Sequence, residues 1–104
     1  MKTSENVRAL LRAILVLRNE DETERFLRDL LTEDEIREFA RRWEVAQLLA
    51  EKNSYAKIEK KTGMSSTTIA RISKFLQGKW GGYQLVLDRL HRHSESVSPA
   101  GSDA

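Results

Sequence analysis

Six residues between Ser65 and Lys74 carry the chain's most suggestive chemistry: Ser65, Ser66, Thr67, Thr68, Arg71 and Lys74. Hydroxyls packed into one helical turn suit hydrogen bonding to base edges or phosphates. An arginine fork suits guanine or a phosphate oxygen pair. Nothing comparable suits catalysis. There is no Cys, so disulfide frameworks and thiolate metal sites are excluded, and His91 and His93 are the only histidines. At i,i+2 on a helix they point apart and make a poor metal pair, so no metal site is expected. No nucleophile stands at a usable spacing from a base, and no glycine-rich phosphate loop occurs, so the chain is not expected to be an enzyme. The acidic runs Glu20–Asp21–Glu22 and Glu33–Asp34–Glu35 are explained by helix capping.

A polar cluster of this kind needs a scaffold that holds it out. The stretch from Ser54 to Leu76 supplies one, because it reads as two short helices meeting at a sharp turn. Ser54 caps the first, and Tyr55 and Ile58 mark its inner face. Gly63 sits at the corner, where positive φ must be tolerated, and Met64 follows as a plug. Ser65 or Ser66 caps the second helix. Ile69, Ile72 and Leu76 recur at i, i+3, i+7 as one buried stripe. This is the sequence form of a helix-turn-helix, whose second helix enters the major groove. Plain αα-hairpin packing fits the same spacing. One position departs from the usual helix-turn-helix pattern: the inner site four residues before the glycine often holds Ala and here holds Glu59.

On this reading the DNA-binding set is Ser54, Tyr55, Lys57, Lys60, Ser65, Ser66, Thr67, Thr68, Arg71 and Lys74. Thr67 and Thr68 meet base edges, and Arg71 pairs with a guanine or clamps a phosphate. Ser54, Tyr55, Lys57, Lys60 and Lys74 hold phosphates and set register. The charge distribution agrees. Residues 1–53 carry 10 Lys and Arg against 12 Asp and Glu, whereas residues 54–93 carry 8 against 2. The net charge of +2 thus hides a basic lobe of +6, the footprint of a polyanion binder.

The rest of the chain is helical in pattern. It has 104 residues, 33% of them charged, and its one Pro is Pro99, while good strand runs are missing. The expected architecture is all-α, about six helices in a single domain over 1–93, followed by a disordered polar tail over 94–104. Ser4 to Arg18 forms the first helix, apolar at Val7, Leu10, Leu11, Ile14, Leu15, Val16 and Leu17. A helix apolar almost all round needs cover on several sides, and in so short a chain a second copy is the expected cover, giving a homodimer. Asp21 with Glu24 resembles a capping box for a second helix. Thr32 with Glu35 forms another for a long helix reaching Lys52, whose inner face is Ile36, Phe39, Ala40, Trp43, Ala46, Leu49 and Ala50. Trp80 and Tyr83 are expected to anchor on the core, and a last helix runs from Tyr83 to His93. No secretion signal is read at the N-terminus and no apolar run is long enough to span a bilayer, so the expected location is cytoplasmic, without a membrane partner.

The segments LTEDEIREFARRWEVAQLL, NSYAKIEKKTGMSSTTIARISKFL and the following YQLVLDRL resemble the Trp repressor superfamily, in particular its TrpR-like YerC/YecD branch. The likeness spans roughly residues 9–90. It implies an intertwined homodimer of six-helix chains, a bacterial origin and sequence-specific binding of double-stranded DNA in transcription control. Trp repressors hold tryptophan between two arginines, which match Arg42 and Arg71 by position, while Thr32 matches a polar residue near that pocket. Two positions depart: Phe75 replaces a small serine, and Trp43 replaces a smaller aliphatic. Bulky aromatics there fill the space an indole would need, so no tryptophan corepressor or other cofactor is expected. Ala56 and Glu59 stand where the repressor carries basic residues for phosphates, and Lys57, Lys60, Lys61 and Lys74 compensate. The expected function is a DNA-binding transcription regulator, read as a repressor. The alternative is a helical protein-interaction or RNA-binding module without specific DNA readout.

Overall fold

The computed structural model describes residues 3–96, and all the regular structure among them is helical. The order is α1 (Glu5–Leu15), α2 (Glu20–Leu30), α3 (Glu33–Ala50), α4 (Tyr55–Thr62), α5 (Ser66–Leu76) and α6 (Gly82–Ser96). Six helices are thus present, as expected. By contact the chain divides into two compact units, Met1–Glu38 and Phe39–Ala104, with the division falling inside α3.

In the first unit each helix start is set by a local cap. The Ser4 hydroxyl accepts from the Val7 amide at 3.2 Å and opens α1. This helix stops at Leu15, short of the expected Arg18, because the amides of Val16 and Leu17 donate three residues back, to Ala13 and Ile14. That tightened turn hands the chain to an extended Asn19. Asn19, and not Asp21, caps α2: its side chain accepts from the Glu22 amide at 2.9 Å, and Glu22 reaches back to the Arg18 amide at 2.9 Å. The reciprocal box therefore sits two residues earlier than the acidic spacing predicts, and Asp21 instead pairs with Arg25 at 3.5 Å. Arg28 ties α2 to the start of α3, reaching Glu24 at 3.1 Å and Glu33 at 2.9 Å. Those two hydrogen bonds, Glu24's first, raise the Arg28 guanidinium pKa above its ordinary value. The Thr32–Glu35 box forms as expected: the Thr32 hydroxyl accepts from Glu35 at 3.1 Å, and the Glu35 carboxylate accepts from Thr32 at 2.8 Å. Neither α1 nor α2 buries a residue.

The second unit holds the core. Val45, Ala46 and Leu48 of α3 meet Ile58 of α4 and Ile69 and Ile72 of α5, with Trp43, Leu49, Met64 and Tyr83 packed around them. The α3 inner face is therefore rotated from the expected one. Phe39 is 49% exposed, and Ala40 and Ala50 face solvent too, while Val45 and Leu48 go inside. Ala46 goes inside and Trp43 and Leu49 pack beside it as expected, so the buried face is shifted toward Val45 and Leu48 and not exchanged for another. Tyr55 likewise lies exposed in the first turn of α4, leaving Ile58 to carry that helix's inner side. Tyr83 docks as expected, its ring 6.2 Å from that of Trp43 with planes 22° apart. Trp80 does not dock, being 79% exposed on the far side of a turn that Gly81 makes at φ +66°. The last helix extends to Ser96, so 94–96 are helical and not part of a disordered tail. The remainder of that tail, 97–104, lies outside the described residues.

α3 ends in a Schellman turn. The Asn53 amide donates to the Leu48 carbonyl at 3.1 Å and the Lys52 amide to Leu49 at 3.0 Å, with the Asn53 side chain adding a bond to Leu48 at 2.9 Å. Lys52 takes the left-handed position at φ 67°, where glycine is usual. Lys52→Gly should therefore stabilise the chain by about 0.5–1 kcal/mol, measured by chemical denaturation. A loss of stability would show that the Lys52 side chain contributes more than its backbone strain costs.

Candidate nucleic-acid interface

α4 and α5 form the bihelical element that the sequence pattern predicts. The Ser54 hydroxyl accepts from the Lys57 amide at 3.2 Å and fixes the start of α4. Its end is closed twice. Gly63 adopts φ 76°, ψ 4° while its amide donates to the Glu59 carbonyl at 2.9 Å. The Thr62 hydroxyl donates to the Ile58 carbonyl at 2.7 Å and accepts from the Met64 amide at 3.2 Å. The angle between the two helices thus rests on a left-handed glycine and a bridging hydroxyl. Glu59 at the atypical inner site is half-buried.

Ser65, and not Ser66, caps α5, accepting from the Thr68 amide at 3.2 Å. It also donates to the Thr68 hydroxyl oxygen at 3.2 Å. With Ser65 donating, one Thr68 lone pair is occupied, so half-buried Thr68 keeps its hydroxyl hydrogen and one lone pair for an outside partner. Ser66, sitting one residue into the helix, keeps its whole hydroxyl exposed.

Ile69 and Ile72 pin α5 to the core, and this decides what it shows outward. At about 100° per residue, Ser66, Thr67, Ala70, Arg71 and Lys74 fall on the opposite side. All five are exposed. Ser54, Tyr55, Lys57, Lys60 and Lys61 are exposed on and beside α4. The structure therefore assembles every predicted DNA-binding residue on the α4–α5 element, with α6 also packed against α5. Lys60, Lys61 and Lys74 lie in the last turns of their helices, where a cation is favoured by the helix dipole.

Sequence reasoning missed two features of this face. Ala70 lies exposed within it, and a helical projection of α5 would have shown it. Past Lys74 the face opens into a shallow cleft of about 670 Å³ lined by Ala70, Arg71, Lys74, Phe75, Lys79 and Trp80. No local signal predicts that Trp80 stays outside. The effector candidates are differently placed. Thr32 is committed to the α3 capping box in the first unit. Arg42 lies with its guanidinium 5.6 Å from the centre of the Phe39 ring. Arg71 is on the outer face of α5, beside Phe75 in the cleft. Trp43, expected to crowd an indole, is turned onto Tyr83.

A capped helix, a left-handed glycine turn and a second helix presenting hydroxyls and cations define a helix-turn-helix protein. Comparison with known proteins makes the family specific. The family model for Trp repressor protein matches residues 5–91. YerC of Bacillus subtilis (strain 168), itself uncharacterized, is 43% identical over 81 residues, covering 78% of each chain. The crystal structure of a TrpR like protein from Eubacterium eligens ATCC 27750 superposes with a TM-score of 0.78 at 39% identity, covering 85% of this chain and 91% of that one. A solved structure from Staphylococcus aureus gives 0.80 at 35% identity, covering 86% and 89%. The chain belongs to the Trp repressor family, in its TrpR-like YerC branch.

Proposed function

We propose that this protein is a sequence-specific, double-stranded-DNA-binding regulator of transcription, acting in the cytoplasm as a homodimer, and that it represses. The observation that carries the reading is the outward face of α5, where Ser66, Thr67, Arg71 and Lys74 stand exposed over buried Ile69 and Ile72. Thr67 and Thr68 meet base edges. Arg71 takes a guanine or a phosphate, and Ser54, Tyr55, Lys57, Lys60 and Lys74 hold the backbone. Ser54 accepts its capping bond through a lone pair, so its own hydrogen remains for a phosphate oxygen. Two copies related by a twofold place their α5 helices in successive major grooves about 34–36 Å apart. The apolar residues that α1 leaves uncovered support the second copy.

Selection of binding sites from random duplex DNA, followed by titration at two salt concentrations, tests this. A palindromic site is expected, with affinity falling about a thousand-fold between 50 and 200 mM salt if some six phosphates are neutralised. Salt-independent affinity would sink the reading. One observation favours a second reading, a helical module for RNA or protein: Trp80 stands out beside Lys79, as a base-stacking or anchoring residue would. Failure to select any duplex, with retained binding of single-stranded RNA, would shift the assignment there.

No tryptophan corepressor is part of this proposal. Phe75 flanks Arg71 in place of a small polar residue, and an indole ring needs that room. Saturating tryptophan should leave the melting temperature unchanged. A clear rise would reveal a ligand site, because a ligand that binds the folded state stabilises it.

A further inference from the structure

We propose that Ala70 is a specificity-determining residue whose methyl group reads the 5-methyl of a thymine in each half-site. This rests on α5 being the groove reader. In projection, Ile69, Ile72 and Leu76 centre the inward side of the helix; Thr67 and Lys74 lie close to the opposite pole, Ala70 and Arg71 stand about 50° to either side of it, and Ser66 is at the edge. Ala70 is exposed there, while its neighbour Ile69 is 0% exposed. Every other side chain on this pole is a hydroxyl or a cation. Ala70 thus places one small apolar group among the polar side chains of this face, between Ser66 and Lys74, within the first two turns, the part of a reading helix that reaches base edges.

The major-groove edges of the four bases carry one apolar group among them, the thymine 5-methyl. A single methyl on the helix matches it. Size matters as much as polarity. A side chain of one carbon lets the helix axis approach the groove floor, so that Thr67 one turn before and Arg71 beside it reach their bases. A side chain several atoms longer at 70 would hold the helix away. Thr67, three residues earlier on the same face, carries a second exposed methyl-bearing side chain.

The test uses the full chain and the duplex selected from a random pool. Each thymine is replaced in turn by deoxyuridine, which removes only the methyl group. One thymine per half-site is expected to weaken binding by roughly three- to ten-fold when replaced, the scale of one buried methyl. With Ala70→Gly that same replacement should have no effect, since the contacting methyl is gone. Glycine weakens a helix, so Ala70→Ser is the second variant: it keeps the fold and should select a base other than thymine at that position. If no thymine is sensitive, or if the sensitive one stays equally sensitive in both variants, the assignment of Ala70 is overturned while DNA binding stands. If no duplex is selected at all, the groove-reading assignment falls and this one with it.

Discussion

Ile69→Ala should destabilise the chain by about 2–4 kcal/mol, measured by chemical denaturation at matched protein concentration. Ile69 is fully buried and shares its cluster with Val45, Ile58 and Ile72, drawn from three helices. Truncation removes about three carbons from a site walled by rigid helices on several sides, so little collapse can fill the gap. That loss is a large share of the roughly 5–15 kcal/mol that holds a small domain together. Thr67→Ala, on the exposed side of the same helix, should change stability by about 0.5 kcal/mol or less. On DNA the order reverses: Thr67→Ala weakens discrimination at its base without unfolding anything. Ile69→Ala, assayed well below its lowered melting temperature, keeps the selected sequence. The pair separates what holds α5 from what α5 reads. A cost below about 1 kcal/mol for Ile69→Ala would mean that the core relaxes around the gap, and that the outward face is less firmly set than its burial pattern implies.

Most of the helix boundaries were legible in the sequence because caps are local chemistry. Ser54, Thr32 and Gly63 each act on partners within four residues, so their roles follow from spacing alone. The same locality explains the error at Asn19. Asp21 and Asn19 compete to open α2, and the winner is the one whose extended backbone follows the tight turn after α1. Packing was less legible. On α3 apolar residues run most of the way round, and periodicity cannot say that Val45 and Leu48 go inside with Ala46 while Phe39 stays out. Trp80 and Tyr83 look equivalent as anchors in the sequence. Only the Gly81 turn decides that one stacks on Trp43 and the other stands in solvent. The candidate site was assembled from hydroxyls and cations, residue types that announce themselves in a sequence. Ala70 was passed over because an alanine announces nothing.

Ile14→Glu should convert the protein to a monomer and reduce its affinity for the palindromic site at least about a hundred-fold. Ile14 is 44% exposed in the single chain, and Leu10, Leu11 and Val7 along the same helix are similarly open. Contiguous apolar surface of this kind is costly in water, and covering it with a second copy removes the cost from both chains at once. A carboxylate placed within that cover would lose its hydration without gaining a partner, which opposes association strongly. Glutamate is at least as good a helix former as isoleucine, so the helix itself should persist and circular dichroism should be unchanged. Binding to two half-sites gains from the second α5 being held at high effective concentration once the first is docked, and that gain disappears when the copies separate. The contacts of a single α5 do not change, so a duplex carrying one half-site should bind wild type and variant alike. Sedimentation equilibrium reads the mass, and titration of the two duplexes reads the rest. If the wild type itself sediments as a monomer, the paired arrangement is wrong. If Ile14→Glu still sediments as a dimer, the two copies meet through some face other than α1. The uncovered residues Leu85, Val86 and Leu90 of α6 then become the surface to substitute.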